Sequence, residues 1–397
     1  MMKVPELLAP AGSLDKLKVS VDYGADAVYL GGLKFGLRSA AENFTEQELE
    51  EGVDYAHKKG AKAYVVLNGF LHDQDLAQLP PFVEFLQKQE VDAVIASDLG
   101  VIETVKKFSD IPVHLSTQAS CLNVASAKFW KKRGVERVVL GREVSVAEAG
   151  KIKREAGVEV EMFVHGSMCM AYSGNCVISN FTQGRDSNRG GCAHSCRFEY
   201  SLSFSKEQEK KKAYFMSSKD LNGLASLEEF INEEIDSIKV EGRMKSHLYA
   251  GTISKVYSEA LRFYQQNGHF LSDQIYEWEN ELKKVTHRAY SAANLTTKAG
   301  PETIFNERET ESGASYAMLG NIVETVDNEF IVIDVRNSFQ TGQTLELLPF
   351  KGEAKKFVCR EIRGLDNEPL SKTNPSTLVK LPWIESAARN NILRAKI

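Results

Sequence analysis

Short apolar runs alternate with longer amphipathic stretches over the first 245 or so residues of the chain. The run ELLAP at residues 6–10 is too short for a helix and reads as a buried strand. Residues 13–23 then space their apolar side chains as a helix does, with Ser13 as cap and Gly24 as stop. Comparable apolar runs recur at 27–31 (AVYLG), 62–67 (KAYVVL), 93–96 (AVIA), 112–116, 137–141, 158–164 and 237–241. Each of the first seven runs is followed by a helix or a long loop. One such helix, 45–59, opens on Thr45 with Glu48 three residues on, the pattern of a capping box. Eight strand–helix units at this spacing predict an α/β fold, a TIM-like (β/α)8 barrel, with a doubly wound open sheet as the alternative.

Beyond residue 245 the pattern changes. Val256, Ala260 and Tyr264 recur every four residues, and Asn267-Gly268 stops the helix they predict. Residues 270–312 are polar and mixed. From Tyr316 onward short alternating runs dominate, at 331–333, 345–347, 357–359 and 378–381, and predict a small β-barrel. The expected organisation is a (β/α)8-like catalytic domain over 1–250, a helical extension and linker over 251–312, and a C-terminal β-barrel domain over 313–397.

Composition narrows the class. A hydrophobic fraction of 43% and a charged fraction of 26% are those of a globular protein. No apolar run approaches membrane-spanning length, and the opening MMKVPELL lacks the plan of a signal peptide. The expectation is a cytoplasmic protein with reduced thiols and no membrane partner. A net charge of −5 argues against a nucleic-acid binder that uses its whole surface, but leaves room for a local basic patch. The lysine run at 210–212 reads as a solvated loop.

Candidate chemistry concentrates at residues 161–200. Four of the six cysteines lie there, Cys169, Cys176, Cys192 and Cys196, spaced C-x6-C-x15-C-x3-C. Clustered thiols in a reducing compartment suggest ligation more than disulfides. The spacing lacks the paired C-x2-C knuckles usual for zinc and suits an iron–sulfur cluster held from separate loops better; buried structural thiols are the plain alternative. Cys121 and Cys359, outside the group, read as ordinary buried thiols. Arg185, Arg189 and Arg197 lie within the stretch, and Arg243 and Lys245 follow the eighth strand. They form either a cation fork for a carboxylate or phosphate ligand or ion pairs with Glu161, Glu199 and Glu241. In a barrel, chemistry sits at the strand ends. Those ends here carry Arg38, Asn68, Asp98, Gln118, Arg142-Glu143, His165-Gly166-Ser167 and 241–245. A hydrolase would need His165 paired with Ser167 or Cys169. No G-x-S-x-G elbow, H-E-x-x-H or Walker loop is present.

The run EMFVHGSMCMAYSGNCVIS at 161–179 fills every fixed position of the pattern E-x-F-x2-G-[SA]-hydrophobic-C-x4-G-x-C-x-hydrophobic-S. With ELLAPAGS at 6, GADAVYLGG at 24, STQ at 116, SKDL at 218, VEGRMKS at 240 and VRNSFQTGQTLE at 335, it makes nearly the whole chain resemble the collagenase-like peptidases, peptidase family thirty-two, of unassigned catalytic type. Better understood members of that family are similar to oxygen-independent hydroxylation proteins carrying a [4Fe-4S] cluster. The full-length pattern is most similar to the branch that helps make 5-hydroxyuridine at the tRNA wobble position, with prephenate as hydroxyl source. Other branches act on ribosomal RNA or, as paired members, in ubiquinone synthesis.

The resemblance implies an enzyme with tRNA as partner, and either a paralogous member or a second copy in a homo-oligomer. It implies Cys169, Cys176 and Cys192 as cluster ligands. Many relatives have a cysteine after K-D-L where this chain has Asn222, so Cys196 is expected to complete the set. Glu161, His165 and Arg243 are expected in catalysis, and Arg38, Gln118 and Lys245 at a small carboxylate donor. Two further readings stay open: a peptidase using His165 with Ser167 or Cys169, and a non-catalytic RNA-binding scaffold.

Overall fold

The eight apolar runs become eight parallel strands: β1 (Glu6–Pro10), β2 (Ala27–Leu30), β3 (Lys62–Leu67), β4 (Ala93–Ala96), β5 (Val113–Leu115), β6 (Arg137–Val139), β7 (Glu159–Ser167) and β8 (Ser237–Val240). Each pairs with the next, and β8 also pairs with β1, with Glu6 opposite Ser237. That last pairing closes the ring, so the molecule is a barrel and not the doubly wound open sheet. The structure is a computed structural model and describes residues 3–37, 42–203, 211–301 and 314–397.

Helices cover the barrel's outer wall. The helix Glu46–Lys58 begins at the expected capping box, in which Thr45 N donates to Glu48 Oε2 at 2.9 Å and Glu48 N to Thr45 Oγ1 at 3.2 Å. Such a cap contributes about 1 kcal/mol.

The barrel's inside is unusual for its charge. Leu8, Ala27, Tyr29, Tyr64, Val66, Ala93 and Ile95 form an apolar lining. Beside them Glu161, Lys239 and Arg137 are buried and paired. Lys239 Nζ donates to Glu161 Oε1 at 2.7 Å, and Arg137 reaches Glu6 at 2.6 Å, Glu159 at 2.9 Å and Glu161 at 3.4 Å. Tyr64 donates its hydroxyl to Glu6 at 2.8 Å. A buried charge without a partner is costly, so these groups satisfy one another.

Strand β7 runs further than its apolar run, to Ser167. A short strand, Asp220–Asn222, pairs antiparallel with the extension, placing Asn222 opposite His165, and Tyr290–Ser291 adds parallel to it. The register between β7 and β8 shifts between Lys239 and Val240, which face Phe163 and His165 respectively. A bulge of this kind re-aims the next side chain. His165 accordingly leaves the inward-facing series of Glu161 and Phe163 and packs against the helix His247–Asn267, which ends at Gly268 in the left-handed region. The lysine run expected as a loop is in part a strand: Lys211–Ala213 pairs antiparallel with Tyr200–Leu202. Its first member, Lys210, lies outside the described residues.

From Tyr316 the chain forms an eight-stranded antiparallel sheet curved as a half-barrel, around a core including Leu319, Ile331, Ile333, Leu345, Leu347 and Leu393. It docks on the barrel's helical wall. The Tyr23 hydroxyl donates to Leu348 O at 2.7 Å and accepts from Ile392 N at 2.9 Å. The fully buried Arg394 reaches Glu281 at 2.5 Å and Glu346 at 3.3 Å.

Candidate functional site

The loop after β7 carries the thiols back over the C-terminal mouth of the barrel, the end at which barrel enzymes place their chemistry. The loop holds its shape through its own small polar residues. Asn188 Nδ2 donates to Cys176 O at 3.0 Å, Ala193 N to Ser179 Oγ at 3.0 Å, and Thr182 Oγ1 to Ser195 Oγ at 2.8 Å. Glycine is required at 174, where φ is +78° and a Cβ would lie 1.9 Å from Gln118 O. That close approach presses the loop onto the end of β5. Arg197 serves the loop's other edge, donating to Ser218 O at 2.8 Å and to Met168 O.

The four thiols line a single cavity of about 130 Å³, together with Gln118, Arg142, Lys239, Glu241 and Arg243. Cys169 is exposed and Cys176, Cys192 and Cys196 are partly buried; all are free, as are the buried Cys121 and Cys359. Burial pushes the Cys196 thiol up, Arg197 pulls it down, and the three other thiols push it up again. The three other thiols thus sit within electrostatic reach of Cys196. Among the described residues no three His, Cys, Asp or Glu side chains are arranged to hold a single metal ion. A mononuclear zinc draws its four ligands to bonds of about 2.3 Å around one point. A four-iron cluster takes one thiolate per iron at separate corners, and four cysteines spaced around a cavity fit the second demand better than the first.

Arg243 reaches this cavity from the end of β8. It is buried, donates to Asn43 Oδ1, and lies against Gly31, where a Cβ would meet its Nη2 at 2.5 Å. Gln118 faces the cavity from the turn Thr117–Ala119. Lys245 turns away: its Nζ donates to Thr286 O at 3.3 Å and lies 5.7 Å from the Tyr249 ring. Glu161 sits beneath the cavity in the ionic layer, where Lys239 forms the boundary between the two. Burial lowers the affinity of the Lys239 amine for its proton, and Glu161 partly restores it. Arg38 lies outside the described residues. Among the other loop arginines, Arg189 pairs with Asp75 at 2.8 Å.

His165 is not brought to the thiols. Its Nδ1 faces Tyr257 Oη at 3.2 Å and its Nε2 faces Tyr290 Oη at 3.4 Å, with the Tyr249 ring alongside. Burial drives its pKa down to about 3. Ser167 Oγ accepts from Arg288 Nη2 at 3.1 Å, and Arg288 is itself anchored on Asp220. No Ser–His or Cys–His pair forms among the described residues at this end of the barrel. Asn222 belongs to the same tyrosine-walled compartment, its Oδ1 accepting from Tyr257 at 3.4 Å. Position 222 is therefore not a wall of the thiol cavity, whereas Cys196 is.

One residue that sequence reasoning passed over is Arg142. Its guanidinium lies 3.8 Å from the Phe163 ring centroid, in stacking range. It lines the thiol cavity and also a neighbouring groove of about 670 Å³. Burial pushes up the carboxyl of its neighbour Glu143, opposed by the Glu143 backbone amide and by Arg142. The signal available beforehand was the polar pair at the end of the sixth strand; nothing in the sequence places Phe163 under it.

Comparison with known proteins agrees with this architecture. The model of peptidase family U32 matches residues 12–304, and that of the family's C-terminal domain matches residues 314–394. Over 99% of its length the chain is 38% identical to tRNA hydroxylation protein P1 of Bacillus subtilis, covering 95% of that protein. It is 37% identical, over 93% of this chain and 55% of the relative, to the 23S rRNA 5-hydroxycytidine C2501 synthase of Escherichia coli. It is 32% identical to a collagenase of Porphyromonas gingivalis over 72% of each. The barrel that bears the thiol loop and the C-terminal half-barrel each fall within a matched range, and the chain belongs to peptidase family U32.

Proposed function

We propose that this protein is an RNA-hydroxylating enzyme that converts the wobble uridine of tRNA to 5-hydroxyuridine without molecular oxygen. The observation that carries the reading is the ring of four thiols around one cavity at the barrel mouth, in a chain similar over nearly its full length to a tRNA hydroxylation protein. Cys169, Cys176, Cys192 and Cys196 would hold a [4Fe-4S] cluster. Such a cluster, with a thiolate on each iron, would supply electron transfer at the mouth.

The remaining steps belong to the chain's own side chains. Arg243, fixed by Asn43 and Gly31, presents a guanidinium to the cavity, suited to the carboxylate of a small donor such as prephenate. Gln118 offers an amide to the same cavity. Lys239 is paired from below with Glu161, so the cavity floor carries no uncompensated charge. The hydrolase reading lacks its parts here, because His165 is held neutral between tyrosines and Ser167 is committed to Arg288.

The test is direct. Protein purified without oxygen is expected to carry about four irons and four sulfides per chain, as one cluster held by four cysteines requires, and to restore 5-hydroxyuridine to tRNA from cells lacking the gene. Zinc or no metal, together with cleavage of gelatin by pure protein, would sink the reading and reinstate the peptidase.

A further inference from the structure

The groove beside the thiol cavity has no role in the reading above. It is roomy, at about 670 Å³, within the size range of small-molecule sites. Its inner wall is the segment from Cys169 to Ser173, which is also a wall of the thiol cavity. The two spaces thus meet at Cys169, Tyr172 and Arg142. Tyr172 stands 56% exposed at this junction, an aromatic face without an apolar cover. Arg142 is clamped on Phe163, and its Nε is buried with no hydrogen-bond partner among the described residues. The rest of its side chain borders the groove, which it lines together with the segment from Cys169 to Ser173. Asn294 fixes the Arg142 backbone through a bond from its Nδ2 to Arg142 O at 3.2 Å. The exposed Lys298 lies at the groove's outer end.

These are the parts needed to seat one nucleotide drawn out of its stack: an aromatic face, a fixed donor for a base carbonyl or phosphate, and a cation at the rim. We propose that the groove is the nucleotide site, receiving a single extruded pyrimidine nucleotide of RNA, with Tyr172 against the base and Arg142 as the specificity-determining donor between base and thiol cavity. The proposal rests on the RNA-hydroxylation reading and adds to it the place and orientation of the base.

The experiment uses anaerobically prepared holoprotein and an unmodified tRNA transcript carrying 4-thiouridine at the wobble position. After irradiation, the attached peptide is identified by mass spectrometry. Attachment is expected within residues 168–173 or 291–298. Arg142→Ala is expected to lower hydroxylation roughly tenfold, the loss of about one hydrogen bond to the base, while the cluster's visible spectrum is kept. Thr297→Trp, a change at an exposed position of the groove, is expected to block attachment with the fold intact, and covers the case in which Arg142→Ala does not fold. Attachment to residues lining only the thiol cavity, such as Asn68 or Asn188, with the transcript still bound, would overturn the groove and leave the RNA reading standing. A transcript bound no better than an unrelated hairpin would overturn both.

Discussion

Two arginines bracket strand β6, Arg137 as its first residue and Arg142 in the turn that follows it, and the regions around them use the same chemistry to opposite effect. At the barrel floor Arg137 is shared among Glu6, Glu159 and Glu161, and Lys239 meets Glu161 from above. At the mouth Arg142 and Arg243 face cavities, the first held by a ring and the second by an amide and a glycine. The charges of the floor neutralise one another and keep the barrel's polar interior in a single arrangement. The mouth holds its charges in place by packing and sets them along the walls of its cavities. Depth in the barrel, and not residue type, separates the paired cations from those that line a cavity.

The comparison breaks most sharply at the thiols. Cys192→Ala is expected to remove the visible absorption of the anaerobic protein and reduce tRNA hydroxylation to background, with thermal unfolding of the barrel nearly unchanged. The floor should respond in the opposite sense. Glu161→Gln takes the counter-charge from the buried Lys239, and removing one partner of such a pair costs about 3–5 kcal/mol. Denaturant unfolding should show that loss, and the iron content should not fall in protein that remains folded.

Gly31→Ala sharpens the distinction at the mouth. The added methyl displaces only the tip of Arg243, so stability should hold while the KM for the carboxylate donor rises about tenfold, the loss of roughly one charged hydrogen bond. The smallest effect concerns His165. Unfolded, its imidazole takes up a proton near pH 6.5; folded, it does so only near pH 3. Between those values the unfolded state binds more protons, so stability falls as pH falls. In His165→Phe the difference between the Tm at pH 7 and at pH 4.5 should shrink; an unchanged difference would show that the imidazole is not the group responsible.

Much of this was legible beforehand because it depends on local patterns. Four- to six-residue apolar runs between amphipathic stretches announce barrel strands, and the Thr45–Glu48 cap and the Gly268 stop appear where propensity puts them. The alternation after Tyr316 likewise announces the antiparallel sheet. What stayed hidden depends on register between distant strands. The shift between β7 and β8 turns His165 outward, and no spacing within 161–179 reveals it. Arg142 acquires its place from Phe163, a neighbour only once β6 and β7 are paired. Arg38, expected at the carboxylate, lies outside the described residues.

The phenol of Tyr23 has a consequence for how the molecule comes apart. One hydroxyl completes the backbone of the C-terminal sheet at two points, Leu348 O and Ile392 N, from the residue that caps the barrel helix Leu14–Asp22. Opening that seam gives up both bonds at once and exposes the apolar side chains packed around the ring, so neither half gains by detaching alone. Barrel and sheet should exchange their core amide protons as one cooperative unit.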